Sequence, residues 1–110
     1  MEAEVIPVLR VADAAAAVSW YERLGFTKEW EHRFERGGLP FVSIARDRAR
    51  LYLSEHRGDA RHDALVHLYV SDVDAVVAEF GRPDGEPPYG CELELRDLDG
   101  NRLRISRAAS

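Results

Sequence analysis

The residues best suited to chemistry are concentrated in one stretch, SEHRGDARHD at 54–63, which holds two of the four histidines and three carboxylates. Such donors bind a divalent cation only when several of them converge. His56 and His62 lack the i, i+4 spacing that places two imidazoles on one face of a helix, and His32 and His67 stand apart in the chain. We therefore interpret 54–63 as a solvated loop whose donors bind metal adventitiously at most.

Nucleophilic catalysis finds little support in the sequence. No serine lies in a G-x-S-x-G turn, no histidine is close in sequence to Cys91, and no glycine-rich phosphate loop is present. A single cysteine excludes an internal disulfide, fits a reducing cytoplasm, and is usually a small packed residue. The sequence thus favours binding over turnover, and no catalytic residue is assigned.

Alternation along the predicted strands separates an apolar face from a mixed one. The face expected beneath the helices comprises Leu9, Val11, Leu51, Leu53, Leu68, Val70, Leu93, Leu95, Leu103 and Ile105. The opposite face comprises Ile6, Val8, Arg10, Tyr52, Ser54, His67, Tyr69, Glu92, Glu94 and Arg104. Its rings and carboxylates suit a flat ligand with positive charge, and the candidate contacts are Tyr52, His67, Glu92 and Glu94. Alternatively, Arg10 and Arg104 pair with the two glutamates, and His67 is a hydrogen-bonded structural residue.

The elements that carry these residues occur twice. The stretches PVLRVADAAAAVSWYERLGF (7–26) and VHLYVSDVDAVVAEFG (66–81) each run from an apolar strand through Val-x-Asp into an amphipathic helix, 59 positions apart. The helix faces have i, i+3, i+4, i+7 spacing and comprise Ala14, Ala17, Val18 and Tyr21 in one copy and Val73, Val76, Val77 and Phe80 in the other. Asp13 and Asp72 are the predicted N-caps. Gly25 and Gly81 are expected to end the helices.

A second repeat, 52 positions apart, relates ARLYLSE (49–55) to NRLRISR (101–107). Further strands are predicted at 26–35, with Trp30, His32 and Phe34 on one face, and at 40–46, 63–70 and 91–96, whereas 82–90 has the composition of a loop. The pattern predicts an α+β domain made of two βαβββ modules, the second one trimmed, whose mixed sheets curl into a cleft. We expect one domain over 1–110, with module one at 1–58 and module two at 62–110.

Composition narrows the possible partners. The 110 residues are 45% hydrophobic and 32% charged, with a net charge of −5, which argues against a nucleic-acid-binding protein. The longest apolar run is too short to cross a membrane. The N-terminus has Glu2 and Glu4 and lacks the features of a signal peptide, so we expect a cytoplasmic location.

The segments VIPVLRVAD, VSWYERLGF, LYLSE, PYG and LRDLDGNRLR resemble the vicinal oxygen chelate superfamily, which includes glyoxalases, dioxygenases and bleomycin resistance proteins. They are spread over almost the whole chain, and the likeness is closest to the bleomycin-binding resistance proteins. The resemblance implies paired βαβββ modules and a homodimer, with clefts to which both subunits contribute.

Enzymes of that superfamily usually hold a divalent metal through His, Glu or Gln at four equivalent positions. The resemblance places these positions at Ile6, Tyr52, Leu65 and Arg104. Isoleucine and leucine have no donor atom, arginine stays protonated, and a divalent metal needs at least three converging donors. We therefore expect neither a metal nor another cofactor.

The resistance proteins stack the flat bithiazole of the drug on aromatic side chains. Matching through RLGF and LYLS implies that Trp30 and Phe41 take this role, and Tyr89 of PYG stands where those proteins have the tryptophan of PWG. A serine of their site falls at Ser54. In the alternative interpretation, Trp30 and Phe41 are aromatic residues of a dimer core.

These observations leave more than one function open. The first is a metal-independent protein that confers antibiotic resistance by capturing a bleomycin-type antibiotic, or a similar flat cationic molecule, in a dimer cleft. The second is a glyoxalase-like lyase or isomerase, or a dioxygenase, and the four unsuitable metal positions argue against it. The third is a member of the superfamily with another ligand.

Overall fold

The computed structural model describes residues 2–109, which form seven strands and two helices. In chain order these are β1 (Val8–Arg10), α1 (Ala14–Arg23), β2 (Thr27–Arg33), β3 (Pro40–Arg46), β4 (Ala49–Ser54), β5 (Leu65–Val70), α2 (Val73–Phe80), β6 (Leu93–Arg96) and β7 (Arg102–Arg107). The strands make two mixed sheets, with the orders β1-β4-β3-β2 and β5-β7-β6. The α+β class is confirmed, and each sheet belongs to one half of the chain. The exact module limits at 58 and 62 remain a prediction.

Strand register is consistent with the internal duplication. In the first sheet β1 runs parallel to β4, with Val8 opposite Tyr52, and in the second β5 runs parallel to β7, with His67 opposite Arg104. The offsets of 59 and 52 relate the first pair to the second. In each module the first strand therefore pairs in parallel with the last strand.

The second module is trimmed, as the sequence predicted. Its sheet has counterparts of β1, β4 and β3 but not of β2, because 82–90 forms no strand. Pro83, Pro87 and Pro88 have no N–H to donate to a ladder, which disfavours strand pairing in this segment. The outer edge of β6 is therefore left without a neighbouring strand among residues 2–109.

The core lies between the helices and the apolar faces of both sheets. All ten residues predicted for that face are buried. Trp20, Leu24 and Phe26 are also buried, and the rings of Trp20 and Tyr21 meet edge to face with centroids 4.8 Å apart. The buried face of α1 therefore includes Trp20 in addition to the residues predicted from their spacing.

The two predicted N-caps behave differently. Asp13 accepts a hydrogen bond from the Ala16 N–H, as an N-cap carboxylate should. Asp72 is the N-cap residue of α2, as predicted, but its side chain makes no capping hydrogen bond. Its carboxylate instead pairs with the guanidinium of Arg46, from the first module. The charge of that arginine competes successfully with the α2 backbone for the carboxylate.

A buried polar network joins the modules at the turn between β6 and β7. The Tyr21 hydroxyl of α1 donates to Asp97 Oδ2 over 2.7 Å, and the Asn101 amide donates to the same oxygen over 3.0 Å. Asn101 also donates to the Arg10 carbonyl at 3.1 Å and accepts from the Ala64 N–H at 3.1 Å. One side chain of the second module thus binds β1 of the first.

Tyr21 is protonated and acts as a donor at neutral pH. Its burial and the nearby Asp97 carboxylate raise the pKa of its hydroxyl well above the ordinary value. Asp97 also accepts from the N–H groups of Asp99 and Asn101, at 2.8 and 2.9 Å. The Asp97 carboxylate is consequently satisfied although its residue is only 7% exposed.

No helix of residues 2–109 is long and apolar enough to cross a membrane.

Asn101→Ala should lower the free energy of unfolding by about 2–4 kcal/mol, because it leaves the Arg10 carbonyl and the Ala64 N–H without their partner. Urea unfolding followed by circular dichroism measures this. Asp84→Ala, in the exposed 82–90 segment, is the control and should change stability by less than about 0.5 kcal/mol. Equal, small effects of the two substitutions would show that the network does not hold the modules together.

Candidate functional site

Three aromatic rings form a cluster on the side of the first sheet that faces away from the helices. We call Trp30, Phe41 and Tyr52 the aromatic platform. The Trp30 ring lies 5.4 Å from that of Tyr52 and 6.2 Å from that of Phe41, while Phe41 and Tyr52 are 5.0 Å apart between centroids. Trp30 is 42% exposed and the other two are partly buried. The rings therefore pack on one another and still present a surface to a ligand.

Strand pairing explains how three separate strands bring these rings together. Trp30 on β2 and Tyr52 on β4 are both opposite Ser43 of β3, which lies between them and is fully buried. Because Ser43 is small, the two rings approach each other over it. A register shift between Lys28 and Trp30 leaves Glu29 as an extra residue, which re-aims the side chains that follow, as bulges do.

The platform continues along β2 into side chains that sequence reasoning did not assign to the site. Phe34 lies 6.1 Å from Phe41, and His32 lies 4.6 Å from Phe34. His56 is 5.7 Å from Phe34, and its Nε2 is 3.0 Å from the Leu39 carbonyl oxygen. The alternation that placed Trp30, His32 and Phe34 on one face was the available signal for this extension.

A charged group borders the platform at the bulge. Arg50 donates to both carboxylate oxygens of Glu29, with Nε at 2.7 Å and the second contact at 3.0 Å, and the Ser43 hydroxyl donates to Glu29 over 2.7 Å. Arg50 also reaches Glu4 at 2.6 Å. The hydrogen bonds from Arg50 and Ser43 lower the pKa of Glu29 to about 2. Glu29 is therefore ionised at neutral pH and is hydrogen-bonded to Ser43, the residue opposite Trp30.

The corresponding side of the second sheet carries charge instead of rings. Arg104 Nε lies 3.0 Å from Glu94 Oε1, and Glu92 accepts from the Arg107 N–H at 3.1 Å. Arginine therefore neutralises both glutamates, as the alternative interpretation expected. Glu94 pairs with Arg104. Glu92 pairs with Arg107 and not with Arg10. Both glutamates already have partners within the sheet.

The remaining candidate residues do not join the platform. Ser54 lies on the same side of the first sheet but is fully buried, and its hydroxyl donates to Asp59 over 2.6 Å. His67 is exposed and lines a small crevice between the modules with Val5 and Phe26. Tyr89 is fully exposed in the segment before β6, on the second module. The structure thus brings together Trp30, Phe41 and Tyr52 but separates them from Tyr89, Glu92 and Glu94.

With this geometry established, comparison with known proteins identifies the family. A family model described as a glyoxalase superfamily protein matches residues 2–109. The chain belongs to the glyoxalase superfamily. The resemblance to the glyoxalase and bleomycin resistance proteins is thereby confirmed. A search of curated protein sequences finds no significant match.

Solved structures similar to this chain include both binding proteins and an enzyme. A bleomycin-binding protein from bleomycin-producing Streptomyces verticillus, complexed with copper(II)-bleomycin, is 28% identical, with a TM-score of 0.70 over 99% of this chain and 98% of that one. The antibiotic-binding protein TnmS3 from Streptomyces sp. CB03234 is 20% identical, with a TM-score of 0.74 over 99% and 98%. The trypanothione-dependent glyoxalase I of Leishmania major is 21% identical, with a TM-score of 0.76 over 97% and 87%. The two similarities at or below 21% identity show a shared fold.

The metal found in enzymes of the glyoxalase superfamily does not fit the residues present here. Among the equivalent positions, Ile6 and Leu65 have no donor, Tyr52 packs against Trp30, and Arg104 binds Glu94. The part of the chain at 2–109 contains no group of three or more His, Cys, Asp or Glu side chains arranged to hold a metal ion.

Stability should depend on pH through Glu29. Its pKa is lowered from 4.5 to about 2, so its stabilising effect is complete above 4.5 and is lost as the pH falls through about 2. Glu29→Gln should therefore be less stable than wild type at pH 7, and the difference should shrink as the pH approaches 2. Thermal melts between pH 7 and pH 2 measure it, with Glu35→Gln in the β2–β3 turn as the control. Parallel pH curves for wild type and Glu29→Gln would contradict this assignment.

Proposed function

We propose that this protein binds a flat, positively charged small molecule of the bleomycin type and protects against it by stoichiometric capture. The observation that carries the proposal is the aromatic platform, which leaves Trp30 accessible on a sheet face that no helix covers. A planar heterocycle that stacks on such rings gains apolar contact without any covalent step. The single cysteine favours a reducing compartment, and hence the cytoplasm.

Charge beside the platform supports a cationic ligand. Glu29 and Glu4 both contact Arg50, so two carboxylates share one guanidinium at the bulge of β2, where Glu29 directly precedes Trp30 in the chain. Glu4, Glu29 and Arg50 together have a net charge of −1, and the whole chain has a net charge of −5. A cation near the ring is also attracted by its π face. The similar bleomycin-binding protein, which is 28% identical and is complexed with copper(II)-bleomycin, favours the same ligand class.

The enzyme alternative has less support. A glyoxalase-like lyase, isomerase or dioxygenase of this superfamily would use a metal, and the residues at the four equivalent positions are unsuited to hold one. The likeness to the Leishmania major enzyme, at 21% identity, concerns the fold alone. Binding without turnover is therefore the function that the side chains favour.

We further propose that the working form is a homodimer in which the platform of one chain faces the second sheet of its partner. The single chain is flat, with extents of 44 × 37 × 21 Å, and its platform and Tyr89 lie on different modules. Pairing would bring Tyr89, Glu92 and Glu94 of one copy toward the rings of the other. Light scattering at micromolar concentration should give twice the mass of the chain, and a monomer would contradict this arrangement.

Calorimetric titration with metal-free bleomycin, in the presence of chelator, tests the function. Trp30→Ala and Tyr89→Ala should each weaken binding by about 1–3 kcal/mol, since each removes a ring able to stack on a planar heterocycle. Tyr89→Trp should bind as well as wild type or better, because the larger ring offers more contact area. Leu98→Ala, an exposed apolar residue on the β6–β7 turn, is the matched control and should bind like wild type.

The titration separates the parts of the proposal. Absence of binding by wild type would exclude bleomycin as the ligand. Binding that is unchanged in Trp30→Ala would exclude the platform, and binding that appears only after a divalent metal is added would exclude metal-independent capture.

A further inference from the structure

The hydroxyl of Tyr52 is a polar group of the aromatic platform that the chain itself does not use. The ring of Tyr52 packs against Trp30 and Phe41, so the side chain is partly buried. Its hydroxyl makes no hydrogen bond within residues 2–109, and its oxygen remains open to solvent. Because a buried tyrosine hydroxyl usually finds a hydrogen-bond partner, this group is available to a ligand.

A second tyrosine and the neighbours of Tyr52 show that the free hydroxyl is a local property. The hydroxyl of Tyr21 is buried and donates to a carboxylate over 2.7 Å. Across the first sheet, Tyr52 is opposite Val8 on one side and Ser43 on the other. Val8 is apolar, and Ser43 donates its own hydroxyl to Glu29. Neither strand neighbour therefore occupies the Tyr52 hydroxyl.

The internal duplication supplies the comparison for this position. Tyr52 and Ser43 of the first sheet correspond to Arg104 and Glu94 of the second. Arg104 Nε lies 3.0 Å from Glu94 Oε1, so the second module satisfies its polar group with an acidic residue of the neighbouring strand. In the first module a small serine stands in the place of that acidic residue. The internal partner is thus replaced by space over which the rings meet.

The polar atoms of the platform are suited to donate. The indole N–H of Trp30 can only donate, and its ring is 42% exposed. The hydroxyl of Tyr52 can donate or accept, and a phenol is the better donor. Phe41 has no polar atom. The acidic group at the bulge of β2 suits the positive charge of a ligand, whereas these two donors suit acceptor atoms on its flat ring.

We propose that the Tyr52 hydroxyl donates a hydrogen bond to an acceptor on the edge of the bound ring, and that the ligand is a planar cation with a carbonyl oxygen or an unprotonated ring nitrogen. This inference rests on the function proposed above, because it concerns the same platform. Stacking tolerates many flat molecules. A donor that is left unpaired penalises a ligand without the acceptor, so Tyr52 determines specificity at a position that the resemblance equates with a metal ligand.

Two probes that differ in one group test this hydrogen bond. Aminomethyl derivatives of fluorenone and fluorene, substituted at the same carbon, are planar and carry the same ammonium group, but only fluorenone has a carbonyl. Calorimetric titration into the full chain gives the ratio of the fluorene Kd to the fluorenone Kd. Tyr52→Phe keeps the ring and should lower this ratio by about fivefold. Tyr69→Phe removes the hydroxyl of an exposed tyrosine of β5 outside the platform and should leave the ratio unchanged.

Infrared spectroscopy detects the same hydrogen bond without reference to affinity. The carbonyl stretching band of bound fluorenone should lie at lower frequency in wild type than in Tyr52→Phe, because a donor to the oxygen weakens the C=O bond. A purely structural role of the hydroxyl would change the affinity for both probes equally and leave the band in place. Since the hydroxyl has no partner within residues 2–109, Tyr52→Phe should melt at the wild-type temperature or above.

An unchanged probe ratio or an unchanged carbonyl band in Tyr52→Phe would overturn the proposal, as would absence of binding by both probes up to about 1 mM. Metal-free bleomycin, titrated in parallel, distinguishes this inference from the proposed function. Bleomycin binding together with an unchanged ratio would refute the hydrogen bond and leave capture standing. The predicted ratio without bleomycin binding would exclude bleomycin and support the requirement for an acceptor.

Discussion

The structure depends on the buried Asp97 carboxylate and the four donors around it. Its partners are the Tyr21 hydroxyl, the Asn101 amide and two backbone N–H groups of its own turn. A carboxylate this deeply buried is tolerated only when it is fully hydrogen-bonded, so the turn, α1 and β1 must keep their relative positions. The equivalent turn of the first module works in a similar way, because Arg46 binds both the Leu24 carbonyl and Asp72 of α2. Each module thus holds the other through the turn before its last strand.

Duplication has preserved the backbone while the two sheet faces have acquired different chemistry. The row Val8, Tyr52, Ser43 and Trp30 in the first sheet corresponds to His67, Arg104 and Glu94 in the second. A small serine lets two rings meet in the first row, whereas an ion pair occupies the second. The loss of one strand then exposes the β6 edge. One module consequently presents aromatic rings on this face, and the other presents paired charges.

The sequence predicted the fold well because the internal repeat constrains the order of the strands and helices in both modules. Offsets of 59 and 52 revealed the duplication, which the matching parallel pairs of the two sheets reflect, and alternation assigned all ten residues of the apolar face. Periodicity carries this information because side chains alternate strictly along a strand. The same rule placed Trp30, His32 and Phe34 on one face, although only the structure shows that Phe41 of β3 links Trp30 to Phe34 and that Phe34 contacts His32.

What the sequence could not predict depends on contacts between distant residues. Aspartate is a residue type typical of N-caps, but the carboxylate of Asp72 pairs with Arg46, 26 positions earlier in the chain, and makes no capping hydrogen bond. Glu29 was not singled out because a bulge, invisible in the pattern, turns it toward Arg50 and Ser43. Ser54 lies on the predicted face yet is buried by its neighbours, and Tyr89 lies on the other module from the rings with which it was grouped. Sequence patterns predict the helices, the strands and their buried faces. Which side chains contact each other depends on the tertiary structure.

The central claim is that a flat ligand is held by stacking on the aromatic platform and not by a metal. The most direct measurement is a crystal structure of the protein with bleomycin bound. The account predicts a planar heterocycle in contact with the rings of Trp30, Phe41 and Tyr52, near the Glu29 carboxylate, with no metal ion coordinated by the protein. A ligand located away from these rings, or one attached through a protein-bound metal, would contradict it.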